Sequence, residues 1–158
     1  MRLLLRRNAH RAVGEAIEIA AAPDTPRREQ WQWHVRVTPV TDTSPAPDTL
    51  AVALSRGNGT VAAVEVTVDP AQVLAAVSSA DLDRATRIDR TAGELVVFVV
   101  GTGAILVEGR HRLSELDAYV LAGDDPLTVD LHPDSAEPAP YATVRLRSTT
   151  PTPLSWVP

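Results

Sequence analysis

Arginine and carboxylate chemistry is what this sequence offers most openly. Arg90 stands between Asp89 and Thr91, just ahead of the most apolar run of the chain, Leu95–Val100. A guanidinium keeps its charge at any relevant pH and can grip a carboxylate through two parallel hydrogen bonds, so Arg90 is a candidate to hold an acidic ligand. Its competing role is a surface ion pair with Asp83 or Asp89, worth about 0–1 kcal/mol. Glu18 lies between Ile17 and Ile19 in an alternating segment, where it faces either solvent or a pocket. Acid–base work by paired carboxylates would require their environments to push the two titrations apart. Trp31 and Trp33 have the size of core residues, and one of them is also a candidate pocket wall.

Other chemistries are poorly provided for. Imidazoles at i and i+2 on a strand share a face and can share a metal, but His10, His34, His111 and His132 are all far apart in sequence. His111 and His132 could still meet across strands, with Glu108 near them. Neither a metal nor any other cofactor is expected. The chain has no cysteine, which excludes disulfides, thiolate zinc sites and a cysteine nucleophile. No Gly-x-Ser-x-Gly elbow is present. Gly57-Asn58-Gly59 and Gly101-Thr102-Gly103 lack the Lys-Ser/Thr of a phosphate loop and read as hairpin turns.

The elements that must position these residues read mainly as strands. Trp31-Gln32-Trp33-His34-Val35-Arg36-Val37-Thr38 alternates strictly, with Trp31, Trp33, Val35 and Val37 on one face and the polar residues on the other. Residues 64–68 repeat the pattern, and 16–20 do so less strictly. Residues 50–54, 95–100, 104–107, 119–121, 127–131 and 141–147 are further strand candidates, separated by Gly-, Asn- and Asp-rich turns. Asp69-Pro70 looks like a helix opening, because Asp caps free amides and Pro loses only an unpaired donor, so a short helix is expected over 70–77. Pro-rich stretches at 23–26, 44–47 and 133–140 read as loops, and 149–158 as an extended tail.

The whole length, 158 residues with 44% hydrophobic content, suits one domain able to bury a core. Aromatics are only 4%, so Val, Ala and Leu must fill that core, and Val favours strands. The net charge of -5 and pI near 5.3 argue against nucleic-acid or anionic-membrane partners, which call for a basic stripe. Leu3-Leu4-Leu5 is too short for a secretory core, and no run approaches the ~20 residues of a spanning helix. A cytoplasmic location is the expectation.

Three ordered segments resemble the HutD/Ves family of cupin-like proteins. Gly14-Glu15-Ala16-Ile17-Glu18-Ile19-Ala20 ends in the Glu-Ile-Ala of that family's N-terminal motif. Trp31-Gln32-Trp33-His34-Val35-Arg36-Val37 is similar to its Trp-centred strand, with His34 where the motif has Arg and Arg36 where it has Ser. Ile88-Asp89-Arg90-Thr91 is followed by Gly101-Thr102-Gly103 and then by Leu121-Ala122-Gly123-Asp124, in the family's order. The resemblance implies a mostly β, small antiparallel cupin-like barrel (jelly roll) with one or two short helices. It also implies one domain over 1–158, with a hairpin-helix insertion near 41–85.

By function, it implies a non-catalytic accessory or regulatory protein, linked in part of the family to histidine catabolism. The ligand would be a small acidic metabolite related to formylated or formimino-glutamate, held by Arg90, Glu18, His34 and Trp33. Two other readings stay open at this point. One is a metal-free isomerase or lyase using Glu18 or His34 for proton transfer; the other is an interaction protein that forms a homodimer through a β-edge.

Overall fold

The computed structural model describes residues 3–13, 15–23, 31–40 and 47–154. Gly14, the proline loops at 24–26 and 44–46, the end of the tail at 155–158 and the side chain of Trp31 lie outside that description. In chain order the strands are β1 Leu3–Leu5, β2 Arg11–Val13, β3 Ala16–Pro23, β4 Trp31–Pro39, β5 Thr49–Ser55, β6 Val61–Val68 and β7 Val73–Leu82. They continue as β8 Thr86–Asp89, β9 Leu95–Val100, β10 Ala104–Val107, β11 His111–Ser114, β12 Ala118–Leu121, β13 Thr128–Pro133 and β14 Ala139–Ser148. A single 3-10 turn, Arg7–Ala9, is the helical element among the described residues.

Every pairing is antiparallel, as the alternation led one to expect. Three sheets result. A central sheet has the order β1-β12-β9-β14-β7, and two flanking sheets have the orders β2-β3-β4-β6-β5 and β11-β10-β13-β8. β9 explains the layering. Leu95, Val97 and Val99 join one apolar core with Trp33, Val35, Val64 and Val66 of the first flanking sheet. Val96, Phe98 and Val100 join a second core with Ile105, Val107, Val129 and Leu131 of the other. A strand covered on both faces must be apolar at every position, and Leu95–Val100 is buried throughout.

The helix expected over 70–77 is absent. Its opening is real: Asp69 caps the Ala71 amide at 3.0 Å, and the Asp69 carbonyl receives the amides of Gln72 and Val73. The turn then stops, because Val73–Leu82 runs as β7 and pairs with β14 in unbroken register from Val73↔Ser148 to Leu82↔Ala139. A ten-residue ladder outweighs the modest helix propensity of the Ala residues. The stretch expected as an insertion is tied into the sheets: β6 pairs with β4, and β7 pairs with β14.

The two glycine turns also differ from each other. Gly57-Asn58-Gly59 makes the β5–β6 hairpin, closed by Gly59 N–H to the Arg56 carbonyl at 3.1 Å. Gly101-Thr102-Gly103, expected as a hairpin, instead carries the chain from the central sheet into the second flanking sheet. Gly101 passes so close to the Ser55 carbonyl that a Cβ would clash with it, while Thr102 N–H bonds that carbonyl at 2.8 Å.

Candidate functional site

Period-two geometry on β4 divides its side chains. Trp33, Val35 and Val37 enter the first core, so His34, Arg36 and Thr38 project from the opposite face. Across the ladder, Arg36 sits opposite Glu18 on β3 and opposite Glu65 on β6. Directly opposed residues share a face, so Glu18, His34, Arg36, Thr38 and Glu65 form one polar cluster. A register shift between Glu18 and Ala20 bends β3 here and inserts Ile19 into the core side.

The cluster is packed rather than solvated. Glu18 and His34 are 6% and 7% exposed, although they lie on the face away from the apolar core. His34 Nε2 lies 3.0 Å from Glu18 Oε2. Arg36 Nη2 donates to Glu65 Oε2, also at 3.0 Å, with both side chains partly exposed. Two donors remain. Arg36 Nε and Thr38 Oγ1 are buried and find no partner among the described residues. Buried polar groups are nearly always satisfied, and an orphan donor costs about 1–3 kcal/mol, so two of them side by side mark a place for an acceptor.

The other sequence candidates lie elsewhere. Trp33 is fully buried in the first core, on the opposite side of β4 from His34. Arg90 is 5% exposed and directs its guanidinium at backbone carbonyls: Nε to Pro126 at 3.0 Å, Nη1 to Glu94 at 2.8 Å, and Nη2 to Gly123 at 2.8 Å and to Asp125. It clamps the 123–127 turn onto the start of β9, and the pairing with Asp83 or Asp89 does not occur. His111 and His132 are not brought together. His111 is registered with Val107, whereas His132 is registered with Leu106, so they project from opposite faces of their sheet. Among the described residues, no three His, Asp or Glu side chains converge as a metal site would require.

Sequence reasoning passed over Arg36, Thr38 and Glu65. The signal was present in the strict alternation, which already placed His34, Arg36 and Thr38 together. A second buried carboxylate, Glu94, was also missed; it takes hydrogen bonds from Thr91 N–H, Arg145 and Arg147.

No family model matches the chain, and no curated protein matches it. Solved structures do. A conserved protein of unknown function from Pseudomonas aeruginosa PAO1 superposes with a TM-score of 0.69 at 17% identity, covering 94% of this chain and 99% of that one. HutD from Pseudomonas fluorescens SBW25, in a formate condition, superposes with a TM-score of 0.60 at 12% identity, covering 95% and 100%. The chain has the cupin-like fold of HutD, over nearly its whole length. No described helix is long and apolar enough to cross a membrane.

Proposed function

We propose that this protein is a non-catalytic, small-molecule binding accessory protein, and that it takes a small carboxylic acid at the Arg36–Thr38 end of the polar cluster. The observation that carries this reading is the pair of buried donors, Arg36 Nε and Thr38 Oγ1, that find no partner among the described residues. Both stand on one strand, two residues apart on the same face, and together they suit the two oxygens of a carboxylate. Glu65 holds Arg36 in place, so little rotamer entropy is lost on binding.

The family resemblance supports the same ligand class. Its strand motif carries Arg at the position of His34, and here the guanidinium comes from Arg36 on the same face. The HutD structure in a formate condition suggests formate as the first probe. A link to amino-acid catabolism, with a formylated or formimino-glutamate ligand, belongs to this reading as its narrower form.

Glu18 and His34 favour a second reading. A buried carboxylate–imidazole pair at 3.0 Å has the geometry of an oriented base, so a metal-free isomerase or lyase is the alternative. The test for both is a thermal-shift screen of mono- and dicarboxylates, followed by proton-exchange NMR of each hit in deuterated water. Ligand binding to the native state raises stability by RT ln(1 + [L]/Kd), so weak hits register. A hit that binds without exchanging its carbon-bound protons supports the accessory role; enzyme-dependent exchange supports the alternative. A screen without any acidic hit removes the carboxylate reading.

A further inference from the structure

A second arginine site lies on another part of the molecule and does not depend on the reading above. We propose that the groove between the 91–94 turn and the 148–153 segment binds the phosphoryl group of a small phosphorylated compound or free phosphate.

Glu94 anchors this part of the molecule, with a side chain that is 1% exposed. It accepts Thr91 N–H at 3.0 Å, Arg145 Nη1 at 3.0 Å and Arg147 Nε at 3.2 Å. Two guanidiniums on one carboxylate leave an excess positive charge at this spot. Arg145 is used further, by the Asp89 carbonyl at 2.9 Å. Arg147 is not: its side chain is 57% exposed, and its two terminal nitrogens make no hydrogen bond among the described residues. Glu94 thus fixes Arg147 through Nε and leaves the paired Nη edge available, which is the edge that grips phosphate bidentately.

That residue lines an open groove of about 370 Å³ together with Thr91, Gly93, Ser148, Thr150 and Thr152. Ser148 Oγ and Thr150 Oγ1 lie 3.1 Å apart and accept the amides of Thr150 and Thr152. One of the two hydroxyls donates to the other, which leaves one hydroxyl proton of the pair for a ligand. On the facing wall, the turn closes through Glu94 N–H to the Thr91 carbonyl at 3.1 Å, with Gly93 at φ +80. The amides of Ala92 and Gly93 make no hydrogen bond among the described residues, and the space beside Gly93 is open. Arg90 steadies this wall through the Glu94 carbonyl. Donors on several sides suit a tetrahedral oxyanion; a planar carboxylate would leave part of the set unused.

The test is a titration of the full chain followed by backbone amide NMR, with inorganic phosphate, glycerol phosphate and acetate at matched ionic strength. Saturable shifts at Ala92, Gly93 and Thr150 with either phosphate compound, and none with acetate, are expected. Tighter binding of glycerol phosphate identifies a phosphorylated metabolite as the source; tighter binding of inorganic phosphate identifies the free anion. Arg147→Gln should weaken binding about ten-fold or more, because charge-assisted bonds are lost. Thr91→Val, which leaves the Glu94 contacts in place, should weaken it roughly three-fold and covers the case in which the Arg147 variant does not fold. Absence of saturable shifts, equal response to acetate, or unchanged affinity in Thr91→Val overturns the proposal.

Discussion

His34 Nε2 lies 3.0 Å from the Glu18 carboxylate on the neighbouring strand, and both side chains are almost completely buried. They pair on the face of β3 and β4 that points away from the apolar core. Removing His34 strips the buried Glu18 carboxylate of its imidazole, and removing Glu18 strips the buried imidazole of that carboxylate. Glu18→Ala or His34→Ala is therefore expected to cost about 3–5 kcal/mol in urea melts, whereas Glu18→Gln, which keeps an acceptor, should cost distinctly less. A double-mutant cycle with coupling near zero would show that the pair is incidental.

Arg90 is expected to behave as a structural residue in its local turn. Arg90→Lys keeps the charge but cannot reach the carbonyls of Glu94, Gly123, Asp125 and Pro126 together. It should lower stability by about 2–4 kcal/mol, since hydrogen bonds to charged groups contribute ~1.5–3 kcal/mol each and are only partly replaced. A loss under ~0.5 kcal/mol would contradict the clamp.

Trp33 is fully buried against the central sheet. Trp33→Ala should cost about 3–5 kcal/mol as a large-to-small change in a packed core. A small effect in the same melts would contradict the assignment of the two faces of β4.

Acid should loosen the N-terminal arm first. Burial of the Asp117 carboxyl would raise its titration, but the amides of Ser114 and Arg7 and the Arg6 guanidinium outweigh that and hold it below its ordinary 3.8. Its contribution is thus present above pH 3.8 and is lost as pH falls through the lowered folded value. Burial also holds His10 below its ordinary 6.5, opposed by its hydrogen bond to the Leu116 carbonyl and by Asp117. The unfolded chain then binds more protons just below pH 6.5, so stability declines from there as well. Urea melts at pH 7, 5 and 3 should show a monotonic fall, and Asp117→Asn should flatten its lowest part. An unchanged acid slope in that variant would contradict the role of Asp117.

Much of this architecture was legible in the residues, for reasons that also mark the limits. Trp33, Val35 and Val37 alternate with His34, Arg36 and Thr38, and one buried face with one polar face leaves that imprint. The six-residue apolar run at β9 announced a buried strand, though not that its two faces serve two different cores. The helix expected over 70–77 gives way to β7 because Ala and Ser are compatible with either state, and only the partner β14, more than fifty residues away, decides. Glu18 illustrates a second limit. Alternation left open whether it faces solvent or a pocket, and its burial depends on tertiary packing that no local pattern encodes. Arg90 illustrates a third: its carbonyl partners at 123–126 come together only through the turn it closes.

Whether Arg36 and Thr38 receive a carboxylate is decided by calorimetric titration. Formate and the strongest acid from the thermal-shift screen would be titrated into the wild type, Arg36→Gln and Thr38→Val. Arg36→Gln should weaken binding about ten- to a hundred-fold, and Thr38→Val about three- to ten-fold. Affinity unchanged in both Arg36→Gln and Thr38→Val would contradict the claim.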